Sequence, residues 1–321
     1  MEKSIYNSNE EIFEKLKGSM VGPLPYSLMN DFLSKYSLQE DLFALAGLLA
    51  ALLKIPIDSI TNIYVLNPIT PGEHIADKDY VLDIKLELNH EKLINIEIQS
   101  RYQSFWPERS IAYLSSVFNH LSKGENYINI KPCIHISILQ NDLFKENDYR
   151  YTGKFYSEYR ILETEEHTEY SSKFEFRVLS LSQIENADEN DKEGANSLYY
   201  WAKLFSAGSW EELMEVAVDN PRMQSFVGTV RQLTAEEKIA QACEARERYE
   251  LDMASYAAEI ENTKKEVAEL EVQIADKKAE IADKDAEIAE KDAEIADKDA
   301  KIADKDAEIA RLKAIIEGGN Q

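Results

Sequence analysis

Cysteine is nearly missing from this chain: Cys133 and Cys243 are the only two among 321 residues. A pair so far apart excludes a disulfide scaffold and predicts reduced thiols in a cytoplasmic protein. Long apolar runs are missing too. The longest, residues 42–53, falls well short of the ~20 residues that span a bilayer. The opening MEKSIYNSNEEIFEK has no apolar leader, so no membrane association is expected. Nor is there a surplus of positive charge. Sixty Asp and Glu against 36 Lys and Arg give a net charge of −24. Residues 236–321 hold 14 basic and 25 acidic side chains, a net of −11, and the rest carries −13. No basic stretch announces a grip on a phosphate backbone, which ordinarily rests on clustered Lys and Arg. His74, His90, His120, His135 and His167 show no metal-ligand spacing with one another or with a cysteine. Neither a glycine-rich phosphate loop nor a GxSxG element occurs.

What is present falls into three regions: a core over 20–145, an extension over 146–235 and a helical tail over 236–317. In the core, Ser37 and Glu40 make a capping box for LFALAGLLAALL, a helix apolar nearly all round and hence buried, stopped before Pro56. Strands are predicted over 60–66, 80–88, 93–99 and 133–139, with a helix from Pro107 to about Lys123 closed by Gly124. That order specifies a mixed α/β fold. The extension holds a strand over 174–181 and two or three helices, one starting at Ser209-Trp210. Trp201 and Trp210 read as core anchors. The tail repeats IADKDAE with isoleucine at 274, 281, 288, 295, 302 and 309. Units such as Glu280–Lys284 and Glu287–Lys291 set Glu four residues before Lys, the favourable orientation on a helix. Isoleucine at one core position of a coiled coil leaves Lys or Asp at the other. Ala279 and Ala282, then Ala286 and Ala289, offer a complete but shallow seam instead. The tail is either a homo-oligomer interface or a single solvated helix.

The segments YVLDIKLEL and LINIEIQ carry the chemistry. Alternation puts Leu82, Ile84, Leu86 and Leu88 on one face of the first and Val81, Asp83, Lys85 and Glu87 on the other. In the second, Ile94, Ile96 and Ile98 oppose Asn95, Glu97 and Gln99. In an antiparallel hairpin the apolar faces must coincide, so odd residues pair with odd. A three-residue turn sets Asp83 opposite Glu97; the next register sets Asp83 opposite Gln99 and Lys85 opposite Glu97. Either way two carboxylates converge, and a divalent cation with oxygen ligands relieves their repulsion. The plain alternative is an amphipathic hairpin whose polar face is wet.

The combination of Asn30-Asp31-Phe32, Asn67-Pro68-Ile69, Val81–Lys85, Asn95–Gln99, Trp106–Ser110, Gly124–Tyr127 and Leu143-Phe144 resembles the Rpn family of recombination-promoting nucleases, also described as transposases. That family belongs to the PD-(D/E)XK nuclease superfamily. The resemblance continues through Trp201–Phe205 and Trp210–Leu213, covering roughly residues 20–250. It implies a restriction-endonuclease-like mixed-sheet core and Mg²⁺-dependent hydrolysis of DNA phosphodiester bonds in recombination. It also implies Asp83 and Glu97 as metal-binding carboxylates, the Ile98 carbonyl as a third ligand and Asp31 as a supporting acid. Gln99 stands where the superfamily carries lysine; an amide positions water but brings no charge. Lys85, on the same face, is a candidate cation. Arg109 and Tyr113, one helical turn apart with Ser116 and His120 continuing the row, read as a phosphate clamp or as a surface ion pair beside a packed tyrosine. The alternative function is a degenerate nuclease fold serving as a binding or scaffold module that oligomerises through its tail.

Overall fold

A computed structural model describes residues 4–6, 8–69, 83–118, 126–194 and 196–318. The chain divides into two compact units, Met1–Tyr249 and Glu250–Gln321. The first opens with helices α1 (Glu10–Leu16), α2 (Asp31–Glu40) and α3 (Leu42–Leu53). Strands β1 (Ile63–Val65), β2 (Ile84–Leu88) and β3 (Lys92–Gln99) follow, then α4 (Trp106–Phe118) and β4 (Cys133–Leu139). After β5 (Tyr156–Leu162) and β6 (Glu169–Ser180) come α5 (Glu189–Lys192), α6 (Leu198–Ser206), α7 (Trp210–Ala217), α8 (Pro221–Leu233) and the start of α9 (Glu237–Gly318).

The six strands form one sheet in the order β1-β2-β3-β4-β6-β5. β1, β2 and β3 pair antiparallel, β3–β4 and β4–β6 parallel, and β5–β6 antiparallel. The parallel step from β3 to β4 needs a crossover, and α4 supplies it. Even-numbered residues of β2, β3 and β4 enter the main core, where they meet α2, α3, α6, α7 and α8. Odd-numbered residues face α4: Leu114 packs on Leu93 and Cys133, and Trp106 on Leu139 and Val178. Covered on both faces, β4 is buried at all seven residues. Trp201 and Trp210 are buried in the main core.

The β2–β3 turn is the three-residue one. Leu88 pairs with Lys92, and Glu91 N donates to Leu88 O at 2.9 Å. Asn89 and His90 take φ of +52° and +60°, the left-handed pair that a right-twisting hairpin requires. Other elements depart from expectation. Ser37 lies inside α2, which Asn30 caps; the cap of α3 is Asp41, whose carboxylate accepts from Ala44 N at 2.9 Å. β1 is shorter than residues 60–66, and β6 begins before Phe174. β5 was not foreseen. It is a largely exposed edge strand whose register shifts at Ile161, a geometry that blunts an edge against further pairing. Residues 80–82 of the expected second strand, the helix end toward Lys123 with Gly124, and His74 and His120 lie outside the described residues.

In the second unit α9 runs on without a break, its described side chains exposed apart from the half-buried Glu250 and Ala254. Lys284 reaches Glu280 at 3.0 Å and Lys291 reaches Glu287 at 2.6 Å. No single described helix is long and apolar enough to cross a membrane. α2 and α3 reach that composition only together, bent by 110°, and both are mostly buried.

Candidate active site

The β2–β3 ladder ends with Ile84 opposite Ile96. The same register carries Asp83, one residue before β2, to a place opposite Glu97, with β-carbons ~4.5–5.5 Å apart. Asn67 fixes this end of the hairpin. Its Nδ2 donates to Asp83 O at 3.0 Å and its Oδ1 accepts from Lys85 N at 2.8 Å, so a side-chain amide replaces a strand neighbour where β1 has ended. Gln39 of α2 holds Ile69 in the same way, through both its backbone N and O.

Asp83 is 1% exposed, and neither carboxylate oxygen has a hydrogen-bond donor among the described residues. Lys85 Nζ stands 3.7 Å from its Oδ2, so the shared face expected of Asp83 and Lys85 is realised. Glu97 is 5% exposed. Its Oε1 accepts from Arg109 Nη2 at 2.8 Å, whereas Oε2 has no donor among the described residues. Burial pushes the Glu97 carboxyl up to about 7; Arg109 works against that rise and Asp83 adds to it. Two carboxylates taken from water and left short of donors are costly unless something positive joins them.

Several cations and one imidazole surround the pair. α4 starts at Trp106, whose indole Nε1 donates to Ser137 Oγ of β4 at 2.9 Å. This anchor aims Arg109 at Glu97, with the guanidinium 5.5 Å from the Trp106 ring and 5.1 Å from the Tyr113 ring. Burial raises the Tyr113 phenol, against the pull of Arg109. His135, fully buried on β4, has Nδ1 3.0 Å from Asn95 Nδ2 and Nε2 4.0 Å from Glu97 Oε2. Burial, with Arg109 nearby, lowers this imidazole to about 3 and keeps it neutral.

Gln99 is half-buried at the end of β3, on the Glu97 side by alternation, and its backbone O accepts from Gln140 N at 2.9 Å. The Ile98 side chain belongs to the main core, so its contribution to a site is its carbonyl. Asp31 is engaged elsewhere: its carboxylate takes the fork of Arg246 on α9, at 2.7 and 2.5 Å, and its Oδ1 also accepts from Phe32 N. Asp31 reaches the site through its field, raising Glu97 and opposing the fall of Lys35.

Lys35 was missed in the sequence. It is 2% exposed on α2, where burial lowers its amine to about 8 against the opposing charge of Asp83. The available signal was a lysine one turn after Asp31 in a helix that also carries Phe32, Leu33 and Leu38. His135 and Ser137 carried a similar signal, as polar residues on the Glu97 face of an otherwise apolar strand.

Three orphaned carboxylate oxygens suit a hard cation that takes oxygen ligands and keeps several waters. Among the described residues no three His, Cys, Asp or Glu side chains form a cage. The Asp83–Glu97 pair therefore fits an ion held by two carboxylates, a backbone carbonyl and water.

The profile of a family described as "PD-(D/E)XK nuclease family transposase" matches residues 28–260. Neither the comparison with curated proteins nor that with solved structures finds a match.

Proposed function

Because this chain belongs to the PD-(D/E)XK nuclease family transposases, we propose that its first unit hydrolyses DNA phosphodiester bonds with a divalent cation, in the service of recombination. The observation that carries this reading is the pair of buried carboxylates on neighbouring strands, three of whose four oxygens lack donors among the described residues. Asp83, Glu97 Oε2 and the Ile98 carbonyl hold the ion, for which Mg²⁺ is the candidate. When bound, such an ion lowers the pKa of water and offsets charge on a phosphate. Gln99 orients the water through its amide. Lys35 and Lys85 supply, from α2 and from β2, the positive charge that glutamine lacks. Arg109 fixes Glu97 through Nη2, and its Nη1, held at 3.4 Å from Gln103 Oε1, is the group that turns to a phosphate oxygen, a contact that suits arginine.

One observation favours a second reading, a non-catalytic scaffold. The ion pair to Arg109 already occupies Glu97 Oε1. Supercoiled plasmid incubated with Mg²⁺ or EDTA separates the two. Asp83→Ala and Glu97→Ala should each nick on the order of 100-fold more slowly than wild type or worse, the scale of losing one transition-state charge stabiliser. Circular dichroism checks that both variants are folded. Equal nicking by all three proteins would mean that the activity is not theirs.

A further inference from the structure

β3 and β4 are parallel, so the loops that follow them leave the sheet at one end, the end that holds Glu97 and Gln99. They are tied together there. Gln140 N donates to Gln99 O, and Asn141 Nδ2 donates to Ser100 O at 3.3 Å. Lys145 Nζ lies 5.1 Å from the centre of the Tyr102 ring. Both loops present aromatic rings to solvent: Tyr102 is 38% exposed, Phe105 57% and Tyr149 94%. The Arg150 guanidinium sits 4.2 Å from the Phe144 ring and 5.5 Å from that of Tyr149. The cluster joins the active site through Arg109, which ion-pairs with Glu97 and donates to Gln103 Oε1 at 3.4 Å.

Single exposed aromatics are ordinary on a protein surface. Three of them beside Lys145 and Arg150 (whose fork also holds Asp148), at the sheet end that carries Glu97, form a surface suited to a particular ligand. Over residues 100–109 and 140–154 there are five Lys and Arg against four Asp and Glu, in a chain of net charge −24. The acidity that repels a phosphate backbone elsewhere is locally lifted. In a duplex the base faces are stacked on one another and closed to a protein ring; in a single strand they are open, and ring-on-base stacking with nearby cations is how such strands are held. We propose that the loops around Tyr102–Phe105 and Phe144–Arg150 are a stacking shelf for the unpaired bases of a single-stranded or frayed DNA segment, whose backbone leads to Glu97. This rests on the nuclease reading for its choice of DNA. It narrows the substrate from any duplex to one with an unpaired stretch beside the cleaved bond.

Fluorescence anisotropy of the full-length protein in EDTA tests it, with a short labelled oligothymidylate and a duplex of equal length at one salt concentration. Wild type should prefer the oligothymidylate by about 10-fold or more. Phe105→Ala and Tyr149→Ala should each weaken its binding by roughly 5- to 150-fold, the loss of one base–ring stack. The ring-preserving changes Phe105→Tyr and Tyr149→Phe should stay within about two-fold, since every aromatic face can stack. Equal affinity for the two probes, or alanine variants that bind as wild type, overturns the shelf. The plasmid assay keeps its failure apart from that of the nuclease. Ring-dependent oligothymidylate binding with no nicking would retain the shelf and remove the nuclease. Nicking with ring-independent binding would do the reverse.

Discussion

A single buried carboxylate shows how much this fold asks of its polar residues. Asp41 caps α3, and its Oδ2 accepts from Ser225 at 2.6 Å and Thr229 at 3.1 Å on α8. Burial nonetheless pushes its carboxyl up, with those hydrogen bonds opposing. The sign follows. The unfolded chain releases this proton at about pH 4, the folded chain only at higher pH, so Asp41's contribution to stability is full below about pH 4 and falls as pH rises through the raised folded value. Asparagine keeps the cap and can pair with the two hydroxyls once they turn to accept. Asp41→Asn should therefore gain on wild type in melting temperature as pH rises from about 4 to 7. Asp41→Ala should be lower throughout, by about 1–3 kcal/mol, having lost the cap and orphaned two hydroxyls. A wild-type/Asn difference that stays flat with pH would refute this. At the same scale, the hairpin's residues were the most legible in the sequence. Alternation and the need to bury isoleucines fix which of Asp83, Lys85, Glu97 and Gln99 share a face. Lys35 and Asp41 were not legible in that way, because only a tertiary neighbour on another element gives either its role.

Among elements, α1 and α8 meet backbone to backbone at a close joint. Gly228 of α8 lies where a β-carbon would come within 2.8 Å of Phe13 N. Asn9, the residue before α1, donates from its backbone N to Ser225 Oγ at 2.7 Å and from Nδ2 to Thr229 Oγ1 at 2.8 Å. Ordinarily alanine gains ~0.5–1 kcal/mol over glycine inside a helix. Here the clash is with backbone, which cannot rotate away, and overpacking costs about 1–3 kcal/mol. Gly228→Ala should thus lower the melting temperature and make α1 more sensitive to proteolysis. Gly18→Ala, whose β-carbon meets nothing within 4 Å, should leave both unchanged. Equal behaviour of the two variants would show that α1 is not seated this closely. The elements that were readable are those with a strong period. β4 runs over the same residues, 133–139, as its apolar run, and the tail helix follows its heptads. β5 escaped because YSEYRIL at an exposed edge has no face to bury and so no alternation to read.

For the molecule as a whole, the open question is what the second unit is for. Its isoleucines form one row with seven-residue spacing, and Ile260 and Val267 extend that row toward the first unit. All are about half exposed, from 49% at Val267 to 58% at Ile281. If the row is position a of a coiled coil, position d holds Leu270 and then Lys277, Lys284, Lys291, Lys298 and Lys305. Lysine at a core position lowers stability, but its long stem can lie over an apolar row while the amine stays wet. We therefore expect reversible self-association of modest strength, with the full-length mass by light scattering rising above the monomer as concentration rises. Replacing Lys284 and Lys291 by leucine should tighten it, whereas Ile288→Lys with Ile295→Lys should abolish it and leave intact the plasmid nicking proposed for the first unit. The seam built on Ala279, Ala282, Ala286 and Ala289 makes the opposite forecast for Lys284, which would then point outward and be indifferent to replacement. A mass that stays monomeric at every concentration would exclude both seams and leave a solvated helix, held by i,i+4 pairs worth ~0.2–0.5 kcal/mol each.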